Sequence, residues 1–307
     1  MSASAARRRT IALVGAFAAL ALSSAPALAQ RAEVKGYPVG GGRALDADGS
    51  LRIFVLNGSV RVTGWSRDSI AVVGVAAPGQ QLFFGGTRRA MKVGLWDRSD
   101  PSAQLPSRVE VRVPAGSRVW VKTGYEAEVD VSGVTGGLDL NIVGGRVHVV
   151  GSPRELNVEA MDGDVEIEGS PAWLRAKSAT GRVTLHGAPE DVGVSTVSGA
   201  IVVDAGRGPV ARGRFESVTG DVRFTGAPAR GGTLDFDTHS GAVDIRLAAT
   251  VDADVDVTTV AGTVDNALSA ARPAADMRNQ RLTFTIGDGG ARIGVRTFKG
   301  AVRLRRE

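Results

Sequence analysis

Residues 145–199 read GRVHVVGSPRELNVEAMD, GDVEIEGSPAWLRAKSAT and GRVTLHGAPEDVGVSTVS, ending at Gly199. Three successive blocks of 18 residues thus open on a glycine, continue as x-Val-x-(Val, Ile or Leu), and turn at Gly-x-Pro six residues later. Extending the block in both directions decides the fold. Glycines with the same following pattern stand at Gly145, Gly163, Gly181, Gly199, Gly220, Gly241 and Gly262, spaced 18, 18, 18, 21, 21 and 21. A fixed internal period of this kind is the signature of a repeat architecture.

The columns around the glycine are as regular as the spacing. Two and four residues after it stand Val147/Val149, Val165/Ile167, Val183/Leu185, Ile201/Val203, Val222/Phe224 and Val243/Ile245. Seven and five before it stand Leu138/Leu140, Leu156/Val158, Leu174/Ala176, Val192/Val194, Leu234/Phe236 and Val255/Val257, with Gly213 breaking the first column. Three before it a hydroxyl recurs: Ser178, Thr196, Ser217, Thr238 and Thr259. Strict alternation puts every second side chain on one face of a strand. Each unit therefore reads as strand, turn, strand, with glycine supplying the backbone conformation of a tight corner and Gly-x-Pro marking the next one.

A unit of 18 to 21 residues cannot bury its own apolar face, whereas stacked neighbours share one narrow core. Equal spacing favours parallel, in-register stacking at about 4.8 Å per coil. The expected fold is an all-β parallel β-solenoid of 18–21-residue coils. Charges just after the glycine, Arg146, Asp164 and Arg182, then Arg223 and Asp244, fall with opposite signs on adjacent rungs, a modest lateral stabilisation.

The register weakens toward the ends. Leu51, Ile53 and Val55 precede Asn57-Gly58, and Val60 and Val62 follow; residues 65–107 are irregular. Residues 267–280 are polar and alanine-rich, expected as a loop or one short helix. The signature returns in 291–307 as a last coil, with Arg303, Arg305, Arg306 and Glu307 placing charge on an exposed end edge that would resist further stacking. The expected domain runs over 45–307, with regular repeats over about 117–266, a final coil at 291–307, and a linker over 30–44.

The first 29 residues carry Arg7, Arg8 and Arg9, an apolar run from Ile11 to Leu22 and the small-residue site Ala27-Leu28-Ala29. This is a signal peptide cut after Ala29; the run is too short for a membrane span, which needs about 20 residues. Export by the general secretory route fits better than the twin-arginine route. The expected location is the periplasm, the cell surface or outside the cell. Losing those three arginines takes the net charge from +5 to +2. With basic and acidic residues interspersed, no basic face for nucleic acid is expected. There are no cysteines, which excludes disulfides, thiolate metal sites and cysteine nucleophiles.

The stretch RVEVRVPAGSRVWVKT from Arg108 to Thr123, the repeated Leu-x-Val-x-Thr-x-x-Gly-x-Val units, and the closing Gly-Asp-Gly-Gly-Ala-Arg-Ile-x-Val-x-Thr-x-x-Gly from Gly287 to Gly300 resemble the bacterial putative-adhesin domain of unknown function over about residues 45–307. The resemblance implies an extracytoplasmic β-solenoid and carries no catalytic residues.

Candidate chemistry is sparse. His148, His186 and His239 share no column on adjacent rungs, and His239-Ser240 beside Asp237 falls at a corner. Asp162, Asp164, Glu166 and Glu168 form an acidic run; paired carboxylates can cleave glycosides and clustered ones can hold calcium, although the glycine-rich calcium repeat is absent. Gly40-Gly41-Gly42 and Gly231-Gly232 do not join a strand to a helix, as a phosphate loop would. Trp120 alternates out of phase with Val119 and Val121 and so faces away from their core side, either open to a partner with Tyr125 nearby or buried under the irregular N-terminal segment. Trp65, Trp96 and Trp173 fall near turns. The expected function is a non-enzymatic exported module, adhesin-like, meeting a cell-envelope glycan or a protein through ladders on a rigid rod. Trp120, Tyr125 and Glu166 are its partner contacts, and neither cofactor nor metal is expected. The alternative is a carbohydrate-active β-helix enzyme acting on an acidic polysaccharide.

Overall fold

The computed structural model describes residues 36–97, 105–275 and 279–307. Val34–Glu307 form one compact unit. The signal peptide and its cut after Ala29 lie outside the described residues. All described strands belong to one 25-stranded sheet of mixed orientation, and among the described residues there is no helix.

The middle of the sheet is built as the columns dictate. It comprises β10 (Gly137–Ile142), β11 (Gly144–Val150), β12 (Glu155–Ala160), β13 (Asp164–Glu168), β14 (Trp173–Ser178), β15 (Val183–His186) and β16 (Asp191–Thr196), after nine N-terminal strands. From β10 to β14 each strand pairs in parallel with the strand two places on, at an offset of 18: Leu138↔Leu156↔Leu174↔Val192 in a first ladder and Val147↔Val165↔Val183 in a second. Inward side chains of both ladders, such as Leu156, Val158, Val165 and Ile167, are fully buried in one common core.

The glycine column has a different cause from the one expected. Gly145 alone among these corner glycines adopts a positive φ, of 101°. A Cβ on Gly181 would stand 2.0 Å from the Gly163 carbonyl oxygen, and one on Gly199 1.9 Å from that of Gly181. Backbone stacks directly on backbone there, so exclusion of Cβ, rather than torsion, demands glycine. Positive φ belongs to the second corner, at Gly151, Gly169 and Gly187. The hydroxyl column is buried and secures the first corner: Thr196 Oγ1 donates to the Gly199 carbonyl at 2.7 Å, and Thr238 to that of Gly241 at 2.9 Å.

Where the offset grows to 21, strand pairing carries on through the second corner, where Gly226 keeps a positive φ of 144°. β17 (Ile201–Ser217) and β18 (Val222–Thr238) run unbroken through it and join the two ladders, with register shifts between Asp204 and Pro209 and between Val210 and Arg212. The core of these 21-residue units takes larger side chains. Phe215, Phe224 and Phe236 fill it as a buried triangle with ring centroids 5.1–5.7 Å apart. Gly213 breaks its column because the Leu234 side chain and the Phe215 ring already occupy the place of its Cβ.

The ends depart from uniform parallel stacking. The C-terminal strands are β19 (Val243–Leu247), β20 (Ala253–Thr259), β21 (Val264–Asn266), β22 (Ala274–Ala275), β23 (Gln280–Ile286), β24 (Ala291–Thr297) and β25 (Val302–Arg306). β24 lies between β18 and β20, and β25 between β19 and β21. The final coil is therefore intercalated, and the charged terminus is no exposed edge. Gly262 follows Gly241 in sequence, but Gly300 sits between them. β23 closes the first ladder antiparallel on β20, and β22, within the stretch expected as a loop or one short helix, pairs antiparallel with β23.

The N-terminal strands are β1 (Tyr37–Ala44), β2 (Ser50–Val55), β3 (Gly58–Trp65), β4 (Ser69–Ala76), β5 (Gln80–Gly86), β6 (Ala90–Asp97), β7 (Ser107–Pro114), β8 (Arg118–Thr123) and β9 (Glu126–Ser132). β2 is held between β6 and β8, and β3 between β7 and β9. β5 closes β6 antiparallel, β4 closes β7, and β1, expected as linker, closes β4. Antiparallel closing strands break the parallel edge that would otherwise template further stacking.

Candidate functional site

The outward face of the first ladder carries the richest chemistry. Its middle column runs Arg52, Trp120, Asp139, Asn157, Arg175, Gly193, Arg214 and Asp235 on successive rungs. Trp173 stands in the neighbouring column, 38% exposed, with the Arg175 guanidinium 4.5 Å over its ring. Trp120 is half-buried on the same face. Three rungs, about 14 Å at strand spacing, separate the two tryptophans.

Glycines in the outward columns leave depressions between these side chains. The one over Gly137, about 580 Å³, is lined by Arg118, Asp139, Glu155, Asn157, Trp173 and Arg175. A second of about 500 Å³ opens over Gly193 beside Asp191, Arg212 and Arg214, and a third of about 820 Å³ over Gly294 beside Asp235, Asp254 and Asp256. The three recur every third rung. Neighbouring chains lean into the gaps: a Cβ on Gly193 would meet Arg175 Cδ at 2.9 Å, and one on Gly294 would meet Asp235 Oδ1 at 2.8 Å.

Electrostatics on this face are of matched pairs. Asp191 is clamped by Arg175 and Arg212, both at 2.8 Å. Burial pushes its carboxyl upward, but the hydrogen bonds and charges of Arg212 and Arg175 outweigh this and hold it below its ordinary value. A carboxylate so held stays ionised and serves as a fixed anchor for the two guanidinium groups. In the third depression Asp256 holds Arg281 at 2.6 Å and Asp254 accepts from Thr285 Oγ1 at 2.7 Å.

The three expected partner contacts fall on three separate surfaces. Trp120 is on the first-ladder face. Tyr125 is in the turn between β8 and β9, its amide donating to the Leu56 carbonyl at 2.8 Å. Glu166 is on the outward face of the second ladder, opposite His148. The acidic run alternates outward as expected, but its members are engaged: Asp162 accepts from Thr180, Asp164 from the Arg182 amide, and Glu166 pairs with Arg146 at 2.5 Å. The Arg146–Glu166 contact is diagonal, whereas the columns suggested a direct Arg146–Asp164 rung.

The apparent cluster at Asp237, His239 and Ser240 does not assemble. The His239 ring stacks on Phe298 at 4.9 Å, and the Ser240 hydroxyl donates to the Val218 carbonyl. Trp65 donates to the Ser69 carbonyl and Trp96 packs on Phe83, both among the N-terminal strands. Gly40–Gly42 lie within β1 and Gly231–Gly232 within β18.

One feature escaped the sequence reading. Two residues before each corner glycine stand Val143, Met161, Ala179, Val197, Val218, His239, Phe298 and Val260, in that spatial order along one edge. Met161 and Val197 are 58% and 54% exposed, and Val143, Val218, Phe298 and Val260 are also open. The column was readable from the same alignment of repeats; only its exposure was not.

No family model matches this chain, and no curated protein matches it. Among solved structures it is similar to a putative cell adhesion protein from Clostridium sporogenes (8% identity, 88% of this chain and 100% of that one, TM-score 0.27). It is also similar to a putative lipid binding protein from Parabacteroides distasonis (10% identity, 88% and 97%, TM-score 0.42). A putative adhesin from Bacteroides fragilis is a third (10% identity, 89% and 99%, TM-score 0.40).

Proposed function

We propose that this chain is an exported, non-enzymatic binding module, a β-solenoid that holds an extended glycan along the outward face of its first ladder. The observation that supports this reading is Trp173 in the wall of the Gly137 depression, with Trp120 on the same outward face three rungs away. Indole rings offer a flat apolar surface with a polar edge, suited to the faces of sugar rings. Arg118, Asp139, Glu155 and Asn157 supply donors and acceptors for hydroxyls between them. Depressions repeated every third rung suit a polymer better than a small molecule. Export rests on the signal peptide, and intact mass of the secreted protein should correspond to cleavage after Ala29.

The test is titration of soluble cell-envelope polysaccharides against intrinsic tryptophan fluorescence. Trp173→Ala and Trp120→Ala should each weaken binding about tenfold, in line with about 1–1.5 kcal/mol for an aromatic contact, while Val197→Asp on the far edge leaves it unchanged. Unchanged affinity in the double tryptophan variant sinks the reading. So does turnover of an acidic polysaccharide abolished by Glu166→Ala.

A second reading, contact with a protein, is favoured by the exposed apolar edge from Val143 to Val260. Exposed patches of a few hundred Å² on a monomer are often functional. Here Val197→Asp and Val218→Asp should abolish the interaction and the tryptophan variants should not.

A further inference from the structure

The outward face of the second ladder holds a chain of charged groups on successive rungs: Arg61, Asp130, His148 and Glu166 stand directly opposite one another. Glu168 lies one column over, between Val150 on one side and His186 on the other. From these placements we propose a divalent-metal site of the zinc class, formed by His148, Glu166 and Glu168, with His186 as a further ligand.

Three observations carry this. First, one ligand atom each from His148, Glu166 and Glu168 lie within 4.8 Å of one another, with His148 Nε2 only 3.1 Å from Glu168 Oε1. Ligands around a tetrahedral ion at about 2.0–2.2 Å stand roughly 3.4 Å apart, so small side-chain rotations close the site. Second, the other ring nitrogen has a carboxylate on its side. His148 Nδ1 faces Asp130 Oδ1 at 4.0 Å, and Asp130 is itself held by Arg61 at 3.3 Å. A metal-ligating histidine characteristically gives its second N–H to a carboxylate, which fixes the ring and raises its basicity. The series Arg61, Asp130, His148 and then ion places every group on the side that this requires. Third, the donors are mixed. Imidazole with carboxylate suits zinc and its neighbours, whereas calcium and magnesium take oxygen alone.

Arg146 opposes the site, since its guanidinium holds Glu166 at 2.5 Å. An incoming cation takes over that carboxylate and Arg146 turns to solvent. Arg146 therefore sets the affinity rather than forming the site, and its removal has the opposite sign to removal of a ligand.

The test is calorimetric titration of the tag-free whole chain with Zn²⁺, alongside thermal melts with and without the ion. One equivalent should bind and raise Tm. His148→Ala and Glu168→Gln should each weaken binding at least tenfold and abolish the Tm shift, with circular dichroism unchanged. His186→Ala should weaken it less, and Arg146→Gln should tighten it severalfold. The same stoichiometry and affinity in His148→Ala would mark unspecific chelation by surface carboxylates and overturn the proposal, as would weaker binding in Arg146→Gln.

Discussion

Between β10 and β16 the order of coils in space is their order in the chain; at either end it is not. In the middle each coil lies on its predecessor at an offset of 18 with no register shift. At the C-terminus, Val243 pairs with Val302, which in turn pairs with Val264. The coil that follows in sequence is displaced outward by the one that arrives last. At the N-terminus β2 and β3 are similarly enclosed by strands that come later. Identical columns make the coils interchangeable, so chemistry sets the register and does not set the order. Order is set by where connections can run and by how the ends are closed. Enclosing the terminal coils leaves both N-terminal ends and the first ladder's C-terminal end to strands with antiparallel partners, which protects those edges, while the second ladder ends on the three-residue β21.

The comparison can be broken first at the glycine column. Gly181→Val places a side chain where the Gly163 carbonyl oxygen stands 2.0 Å from the Cβ position, so the backbones must part. A loss of about 3 kcal/mol or more, or failure to fold, is expected in urea unfolding. Gly193→Ala, facing outward against the flexible Arg175 chain, should cost little. Equal costs would mean that corner contact does not hold the stack.

The intercalation can be tested next, because the chain has no cysteine of its own. Asp244 and Arg303 are direct partners, as are Arg303 and Asp265. Adjacent rungs at about 4.8 Å allow a disulfide and a two-rung gap does not. The pair Asp244→Cys with Arg303→Cys should oxidise readily and add about 2–4 kcal/mol. Asp244→Cys with Asp265→Cys should stay reduced. The reverse pattern would restore simple sequential stacking.

The smallest effect lies where the 18-residue coils meet the wider ones, at Asp191. Its carboxyl is held below 3.8, so its contribution is full above that value and disappears as pH falls through the lowered folded value. Asp191→Asn should lower Tm by about 2 °C at pH 7. Chemical denaturation from pH 7 to pH 2.5 should show that gap closing; a constant gap would mean that the arginine clamp does not involve the ionised carboxylate.

Much of the candidate surface was readable as placement but not as company. Alternation put Trp120 and Glu166 outward, and both face solvent on their ladders. Their neighbours come from other rungs: Trp173 three rungs from Trp120, His148 across from Glu166 and diagonal to Glu168. A search for histidines sharing one column passes over that grouping, because its members differ in residue type and column. The depressions were hidden for the opposite reason. A glycine in an outward column, such as Gly137 or Gly193, looks like a weak strand residue until the long side chains on either side are seen to wall a hollow.

The sequence by itself determined the period, the buried and outward columns, the glycine and hydroxyl corners and the all-β class, because a two-residue alternation and a fixed repeat are local properties that stacking can only accept. Only the tertiary structure decided the order of the terminal coils, the antiparallel closures at β4, β5 and β23, and the phenylalanine triangle's place in the wider turns. Those outcomes depend on which of several chemically equivalent edges a strand reaches. That choice rests on chain connection and on the volume left to fill, and neither is written in any single repeat.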